Sequence, residues 1–183
     1  MRVISGNLKG KRLFSSKGQM LRPTSDRVKE AIFDILRDQF QGQNVLDLFA
    51  GTGALGIECL SRGASRAVFV EENPRSLSAL RRNIEGCRLK EQVEVMGRKV
   101  LPALKILDAR EEAFGIIFLD PPYDKGEARR VLEVLSRSSI LTPGTLVVAE
   151  HSLSEEIDSI SLLQRIDLRK YGRTLVSFFR PSI

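Results

Sequence analysis

The tetrapeptide Asp120-Pro121-Pro122-Tyr123 places a carboxylate, two residues without an N–H and an aromatic ring in succession. Consecutive prolines fix the backbone and remove two hydrogen-bond donors. The carbonyl groups there have no local partner, so the stretch is rich in acceptors and carries a flat stacking surface. Its chemical complement is a planar group bearing an NH₂, such as a nucleobase. Accepting the two amine hydrogens at Asp120 and at a proline carbonyl would reshape the nitrogen and free its lone pair for attack. A rigid strand-to-loop turn with a surface tyrosine is the competing account of the same residues.

A second constellation, Asn44 to Gly56 (NVLDLFAGTGALG), runs from an apolar stretch holding one acid, Asp47, into glycines at 51, 53 and 56. The spacing Gly51-x-Gly53-x-x-Gly56 matches a dinucleotide fingerprint, which by itself admits several cofactors. Glycines let a backbone approach a ligand, and the helix start behind them offers free N–H groups. Glu71 stands 20 residues after Gly51, the interval expected of an acid that holds ribose hydroxyls. Asp47 tips the choice of ligand. A carboxylate facing the turn would repel a pyrophosphate and suits a positive group, such as the ammonium of a methionine moiety. Alternatively, Asp47 only braces the turn through backbone N–H groups.

These residues need elements to hold them. Asn44 onward reads as a buried strand, and Ala54 to Arg62, ending at Gly63, as a helix. Arg66 to Glu71 reads as the second strand, and Asn73–Pro74 caps a helix carrying Leu77, Leu80 and Ile84, with Gly86 at its end. Gln92 to Met96 follows as a strand and Lys99 to Asp108 as a helix. The apolar run Gly115 to Leu119 fits a central parallel strand buried on both faces. Ala128, Val131, Leu132 and Leu135 mark another amphipathic helix, and Gly144 to Glu150 a fifth strand. Gln164 to Lys170 and Thr174 to Phe179, turning at Tyr171–Gly172, form a closing antiparallel hairpin. Alternating units of this kind specify a Rossmann-like, doubly wound α/β sheet, mostly parallel, with right-handed crossovers. Ligands of such sheets sit outside the carboxyl ends of the strands, where Asp47 with its glycines, Glu71 and Asp120 to Tyr123 converge.

Ahead of this unit, MRVISGNLKGKRLFS suggests a small hairpin with a cationic face. LRPTSDRVKEAIFDIL reads as a helix with Val28, Ala31, Ile32, Ile35 and Leu36 along one stripe. Residues 1–40 are therefore expected as a basic hairpin and helix packed on a main domain of residues 41–183. The 183 residues carry a net charge of +6, with 28% charged and 42% hydrophobic residues. The first 22 hold Arg2, Lys9, Lys11, Arg12, Lys17 and Arg22 and no acid, which points to a polyanionic partner or to a solvated arm. Cys59 and Cys87 show no CxxC pairing, so neither metal nor redox chemistry is indicated. No apolar run resembles a signal peptide or a membrane span, and a cytoplasmic monomer is expected.

LDLFAGTGALGIE, VFVEEN and DPPY together resemble class I methyltransferases that use S-adenosylmethionine to methylate exocyclic amines. RVISGNLKGKRL, LRPTSDRVKEAIFDIL and the tail KYGRTLVSFF are similar to the RsmD-type 16S ribosomal RNA guanine-N2 methyltransferases of bacteria, and the likeness covers nearly the whole chain. It implies methyl transfer from S-adenosylmethionine to a guanine of 16S rRNA, within a small ribosomal subunit or an assembly intermediate, with no metal. It implies cofactor contacts by Asp47, Phe49, Gly51, Thr52, Gly53, Glu71, Glu72 and Asp120, with Asp47 and Gly51 to Gly53 on the methionine part and Glu71 on the ribose. Asp120, Pro121, Pro122 and Tyr123 would address the guanine. Lys9, Lys11, Arg12, Arg22, Thr24 and Arg27 would meet RNA or border the pocket. One departure stands out: many relatives carry an Asp near the end of the third strand for the adenine amine, where this chain has Arg98 and Lys99.

The guanine would have to leave its stack to reach the methyl donor. Tyr123 would stack on it while Asp120 and the Pro121 carbonyl hold the amine in line. His151 is expected to be structural or at the pocket edge. A dehydrogenase would share the glycine fingerprint but leaves Asp120 to Tyr123 without a role. A DNA adenine methyltransferase shares that tetrapeptide but needs a target-recognition segment. A non-catalytic RNA-binding protein has no need of Asp120.

Overall fold

The computed structural model describes residues 1–15, 23–122, 126–155, 157–158 and 160–182, with the backbone alone for 23–26. The elements in chain order are α1 (Pro23–Leu36), β1 (Asn44–Leu48), α2 (Ala54–Ser61), β2 (Arg66–Val70), α3 (Pro74–Gly86), β3 (Val93–Met96), α4 (Val100–Ala109), β4 (Ile116–Leu119), α5 (Glu127–Leu135), β5 (Leu146–Ser152), β6 (Leu163–Tyr171) and β7 (Thr174–Pro181). They build a seven-stranded sheet in the order β3-β2-β1-β4-β5-β7-β6. Strands β1 to β5 are parallel; β7 enters antiparallel beside β5, and β6 pairs antiparallel on its outer edge. The strand order reverses between β1 and β4, and a crevice opens at such a switch point.

Side chains alternate across the sheet and feed two cores. Val45, Phe69, Phe118, Val148 and Phe178 face the layer that holds α1, α2 and α3. Leu46, Leu48, Val68, Val70, Ile117 and Phe179 face α4 and α5. By the same alternation Asp47 occupies an apolar position on the α2 side, between Val45 and the turn.

The N-terminal residues share the first core. Val3 and Leu13 are buried with Val28, Ile32, Phe33, Leu36 and Phe40. Arg2 and Arg12 form an antiparallel bridge, closed by Val3 N–H to Lys11 O at 2.9 Å and Gly10 N–H to Val3 O at 2.9 Å. This hairpin is anchored to α2 through Glu58, which is fully buried. Its carboxylate accepts from Ile4 N–H (2.7 Å), Ser5 N–H (3.0 Å) and Arg62 Nε (2.9 Å), with Lys29 Nζ at 3.8 Å. Ser61 adds a second anchor, donating to Ser5 O at 2.6 Å and accepting from Leu8 N–H at 2.9 Å.

Some local details depart from the pattern in the sequence. Gly86 is the last helical residue of α3, and the left-handed conformation that ends this helix falls on Arg88 (φ 58°). Ile35, on the apolar stripe of α1, is exposed. His151 lies buried inside the sheet, with Nε2 2.8 Å from Ser177 Oγ, and desolvation holds its pKa below the ordinary value.

Candidate active site at the carboxyl rim of the sheet

The turn after β1 is held by its backbone geometry. Phe49, Gly51 and Gly53 adopt φ of 61°, 56° and 79°, and Gly53 caps α2 without a side-chain bond. Left-handed φ is uncommon outside glycine, so Phe49 marks a constrained corner. Gly56 has a steric role: a methyl group there would overlap the Phe69 ring. Helix α2 therefore packs directly on β2, and its free N–H groups point at the rim.

Asp47 is nearly fully buried and accepts from Gly56 N–H at 3.0 Å through Oδ2. Its other oxygen takes no hydrogen bond from the described residues. Burial pushes its carboxyl from 3.8 up to about 8; the Gly56 N–H opposes that rise, and Asp120 and Glu71 add to it. Glu71, just beyond β2, accepts from Gly51 N–H at 2.8 Å and from Asn73 N–H at 2.7 Å. It thus ties the glycine turn to the start of α3, and each carboxylate oxygen keeps a further lone pair. Glu72 beside it is exposed, and Thr52 and Phe49 are half-buried.

Asp120 follows β4, level with the residues after Leu48 and Ala149 in the neighbouring strands. Asp120 is exposed at the rim, and desolvation by the surrounding protein lifts its carboxyl to about 6. Pro121 is buried and Pro122 exposed. Tyr123 and Arg22 lie outside the described residues, as does the side chain of Thr24. Arg27 is exposed on α1, and Lys9, Lys11 and Arg12 are exposed on the hairpin. Arg98 and Lys99 are exposed just after β3.

The rim also holds residues that motif reading passed over. Glu150 lies in β5 just past Ala149, the last residue paired with parallel β4, and desolvation, followed by repulsion from Asp120, raises its carboxyl well above the usual range. The rule that pointed to Asp120, an acid at the carboxyl end of a parallel strand, applies equally to Glu150. Asn83 of α3 donates through Nδ2 to Thr52 O at 2.9 Å and to Phe14 O at 3.0 Å, joining the glycine turn to the end of the hairpin. Nothing in its sequence context marks it.

The rim therefore concentrates acceptors. Desolvation raises the carboxyls of Asp47, Asp120 and Glu150, and repulsion from neighbouring acids adds to the rise at Asp47 and Glu150. A ligand with positive charge relieves the repulsion; a pyrophosphate would add to it. An unsatisfied buried oxygen on Asp47, a left-handed turn with exposed N–H groups, and Glu71 at ribose distance along the chain together fit an amino-acid nucleoside with a cationic centre. No group of three or more potential metal ligands occurs among the described residues.

The chain is also similar to known proteins. The family model described as Conserved hypothetical protein 95 matches residues 1–180. The chain is 36% identical over 181 residues to YlbH of Bacillus subtilis, named as a candidate rRNA methyltransferase, covering 98% of both chains. It is 34% identical over 151 residues to ribosomal RNA small subunit methyltransferase D of Haemophilus influenzae, covering 82% of this chain and 78% of that one. The solved structure of the candidate methyltransferase yhhF from Escherichia coli superposes with a TM-score of 0.86 at 26% identity, over 99% of this chain and 97% of the other.

Proposed function

The chain belongs to the Conserved hypothetical protein 95 family, and from that membership we propose that it transfers a methyl group from S-adenosylmethionine to the exocyclic N2 amine of a guanine in 16S ribosomal RNA. The activity class, S-adenosylmethionine-dependent methylation of rRNA, is supported by the rRNA methyltransferase names of its relatives. The observation that carries the finer reading is the placement of Asp120 and Pro121 at the switch point beside the Asp47 turn. This sets an amine-accepting corner next to a cation-accepting one.

S-adenosylmethionine supplies a methyl group on a positively charged sulfur, so the protein needs neither nucleophile nor metal. Asp47, Phe49, Gly51, Thr52 and Gly53 hold its amino-acid end, with Asp47 opposite the ammonium. Glu71 takes the ribose hydroxyls and Glu72 borders them. Asp120 and the Pro121 carbonyl accept the two amine hydrogens, and Tyr123 stacks on the extruded base. Glu150 keeps its proton because burial desolvates its carboxyl and Asp120 repels its charge, so the negative charge rests on Asp120. After the methyl transfer, the proton shed by the amine passes to Asp120, which opens to solvent. Most of the acceleration comes from holding the reactants in line. The basic hairpin and helix of residues 1–40, which carry Lys9, Lys11, Arg12, Arg22, Thr24 and Arg27, meet the RNA. Small-subunit assembly intermediates are the proposed substrate form, and the enzyme acts as a cytoplasmic monomer.

Cofactor binding should depend on pH through Asp47. A carboxyl whose pKa rises on folding keeps a proton that the unfolded chain has released. The free protein therefore loses stability as pH rises from about 4 to about 8. An ammonium ligand needs the carboxylate, so binding expels that proton. Calorimetry from pH 6 to 8 should show affinity rising by up to about tenfold per pH unit, with proton release visible as a buffer-dependent enthalpy. Asp47→Asn should bind weakly and without this slope. A flat wild-type profile would leave Asp47 as a brace for Gly56 only.

The substrate reading is tested by offering methyl-labelled S-adenosylmethionine with naked 16S rRNA, small subunits or DNA. Label in small-subunit RNA is expected; label in DNA alone would contradict the reading. Neutralising Lys9, Lys11 and Arg12 together should lower the logarithmic salt slope of RNA binding by roughly 2 to 2.7, at about 0.7–0.9 per lost phosphate contact. An unaltered slope would make the arm solvated surface.

A further inference from the structure

The hairpin and α3 enclose a groove of about 410 Å³ that none of the proposed catalytic or cofactor residues lines. That size falls in the ~300–1,000 Å³ span of small-ligand pockets. Lys11, Arg12, Phe14 and Arg82 wall it, with Leu13 and Asn83 at its base, and no acidic residue lines it. We propose that this groove is a nucleotide subsite for single-stranded RNA flanking the target guanine, with a base stacked on the Arg82–Phe14 pair and its phosphates on Lys11 and Arg12.

The pair is preassembled. The Arg82 guanidinium lies 4.0 Å over the centre of the Phe14 ring, which leaves the outer guanidinium plane facing solvent. Guanidinium planes and aromatic rings are the surfaces on which unpaired RNA bases stack. Phe14 is 41% exposed, a large apolar side chain left on the surface of a cationic arm. Holding the arm does not require the stack, because Asn83 already fixes the Phe14 backbone at both polar atoms, accepting from its N–H and donating to its carbonyl.

Charge points the same way. Arg62, Arg66 and Arg110 are each held by carboxylates: Arg62 by Glu58, Arg66 and Arg110 by Glu94 and Glu112. Lys11, Arg12 and Arg82 are exposed and have no ion-pair partner among the described residues. Three cations around one groove with an aromatic wall match a phosphodiester strand with splayed bases. A duplex presents no free base face and meets only the charges. Asn83 also bonds Thr52 of the glycine turn, so a strand seated here runs next to the cofactor corner.

This inference rests on the reading of RNA as substrate and is tested separately from it. The probe is a short fluorescent oligoadenylate, measured by anisotropy against a duplex RNA of equal length. Phe14→Ala and Arg82→Ala should each weaken the single strand by roughly five- to hundredfold and the duplex far less, with cofactor affinity unchanged. Arg82→Lys keeps the charge and loses the plane, so it should keep the salt slope and lose most of the affinity. Ultraviolet cross-linking of the wild-type protein to the oligonucleotide should label the peptide carrying Phe14, whatever the variants do. Wild-type-like binding by the alanine variants, equal losses for single strand and duplex, or cross-links confined to other peptides would each overturn the subsite. Loss of RNA methylation by the wild-type protein would instead contradict the function proposed above.

Discussion

Asp120→Ala is expected to lower turnover by about 10²–10³-fold, far more than it alters the cofactor dissociation constant. The magnitude is that of removing one preorganised hydrogen-bond partner from a transition state. Asp120 follows the buried strand β4 and precedes two prolines, so its backbone stays in place when the side chain is cut. Its peptide N–H lies 3.5 Å from Leu48 O, at the end of the ladder to β1. What disappears is the acceptor that orients the amine and takes its proton. A loss confined to kcat identifies an interaction made in the transition state. The pH profile supplies a second signature. Because the Asp120 carboxyl is lifted to about 6, the wild-type rate should fall as pH drops through that value and the acid becomes protonated. Asp120→Asn should remove this limb. Tyr123→Ala should cost about 1–3 kcal/mol as a lost stacking surface, whereas Tyr123→Phe should retain substantial activity.

The largest effect on stability should come from Glu58→Ala. The variant strands Lys29 and Arg62 without their carboxylate and leaves Ile4 and Ser5 N–H groups unpaired. Removing one partner of a buried, hydrogen-bonded charge network costs about 3–5 kcal/mol. For a chain of this size that corresponds to a fall of about 6–20 °C in melting temperature. Arg62 also lies 4.7 Å over the Phe33 ring and 5.7 Å from that of Phe40, so its displacement disturbs the packing beneath the hairpin. The hairpin should become sensitive to protease, and RNA affinity should fall with it. Thermal unfolding and limited proteolysis together check this; an unchanged melting temperature would mean that Val3, Leu13 and the Ser61 and Asn83 bonds hold the hairpin without Glu58.

Much of the architecture was legible because its signals are local. An apolar run, then glycines at 51, 53 and 56, then Leu55, Ile57 and Leu60 at helical spacing can hardly be built another way, and β1, the turn and α2 lie where that pattern puts them. Asn73–Pro74 announces α3 through its cap, and the Asn73 side chain accepts from Arg75 and Ser76 N–H. Asp120 to Tyr123 suggest an amine-accepting corner only in company with the glycine turn, since two prolines after a strand equally suit a rigid strand-to-loop bend. Contacts made across the chain were not legible. Glu58 sits in a helix reading ALGIECLS, where nothing shows that backbone N–H groups 53 and 54 residues earlier need it. Asn83 reads as an ordinary polar helix position, although it bridges Phe14 and Thr52. The desolvation that raises Asp47 and Glu150 follows from the stacking of β1, β4 and β5, a property of the assembled sheet.

The most direct measurement is chromatography of the nucleosides released from small-subunit RNA after incubation with methyl-labelled S-adenosylmethionine and either the wild-type protein or Asp120→Ala. The account predicts a single labelled peak, N2-methylguanosine, with the wild type, and its near-absence with the variant under conditions where both bind cofactor equally. Label on another nucleoside, or an equal N2-methylguanosine peak with Asp120→Ala, would contradict the assignment of Asp120 to Tyr123 as the amine-methylating site.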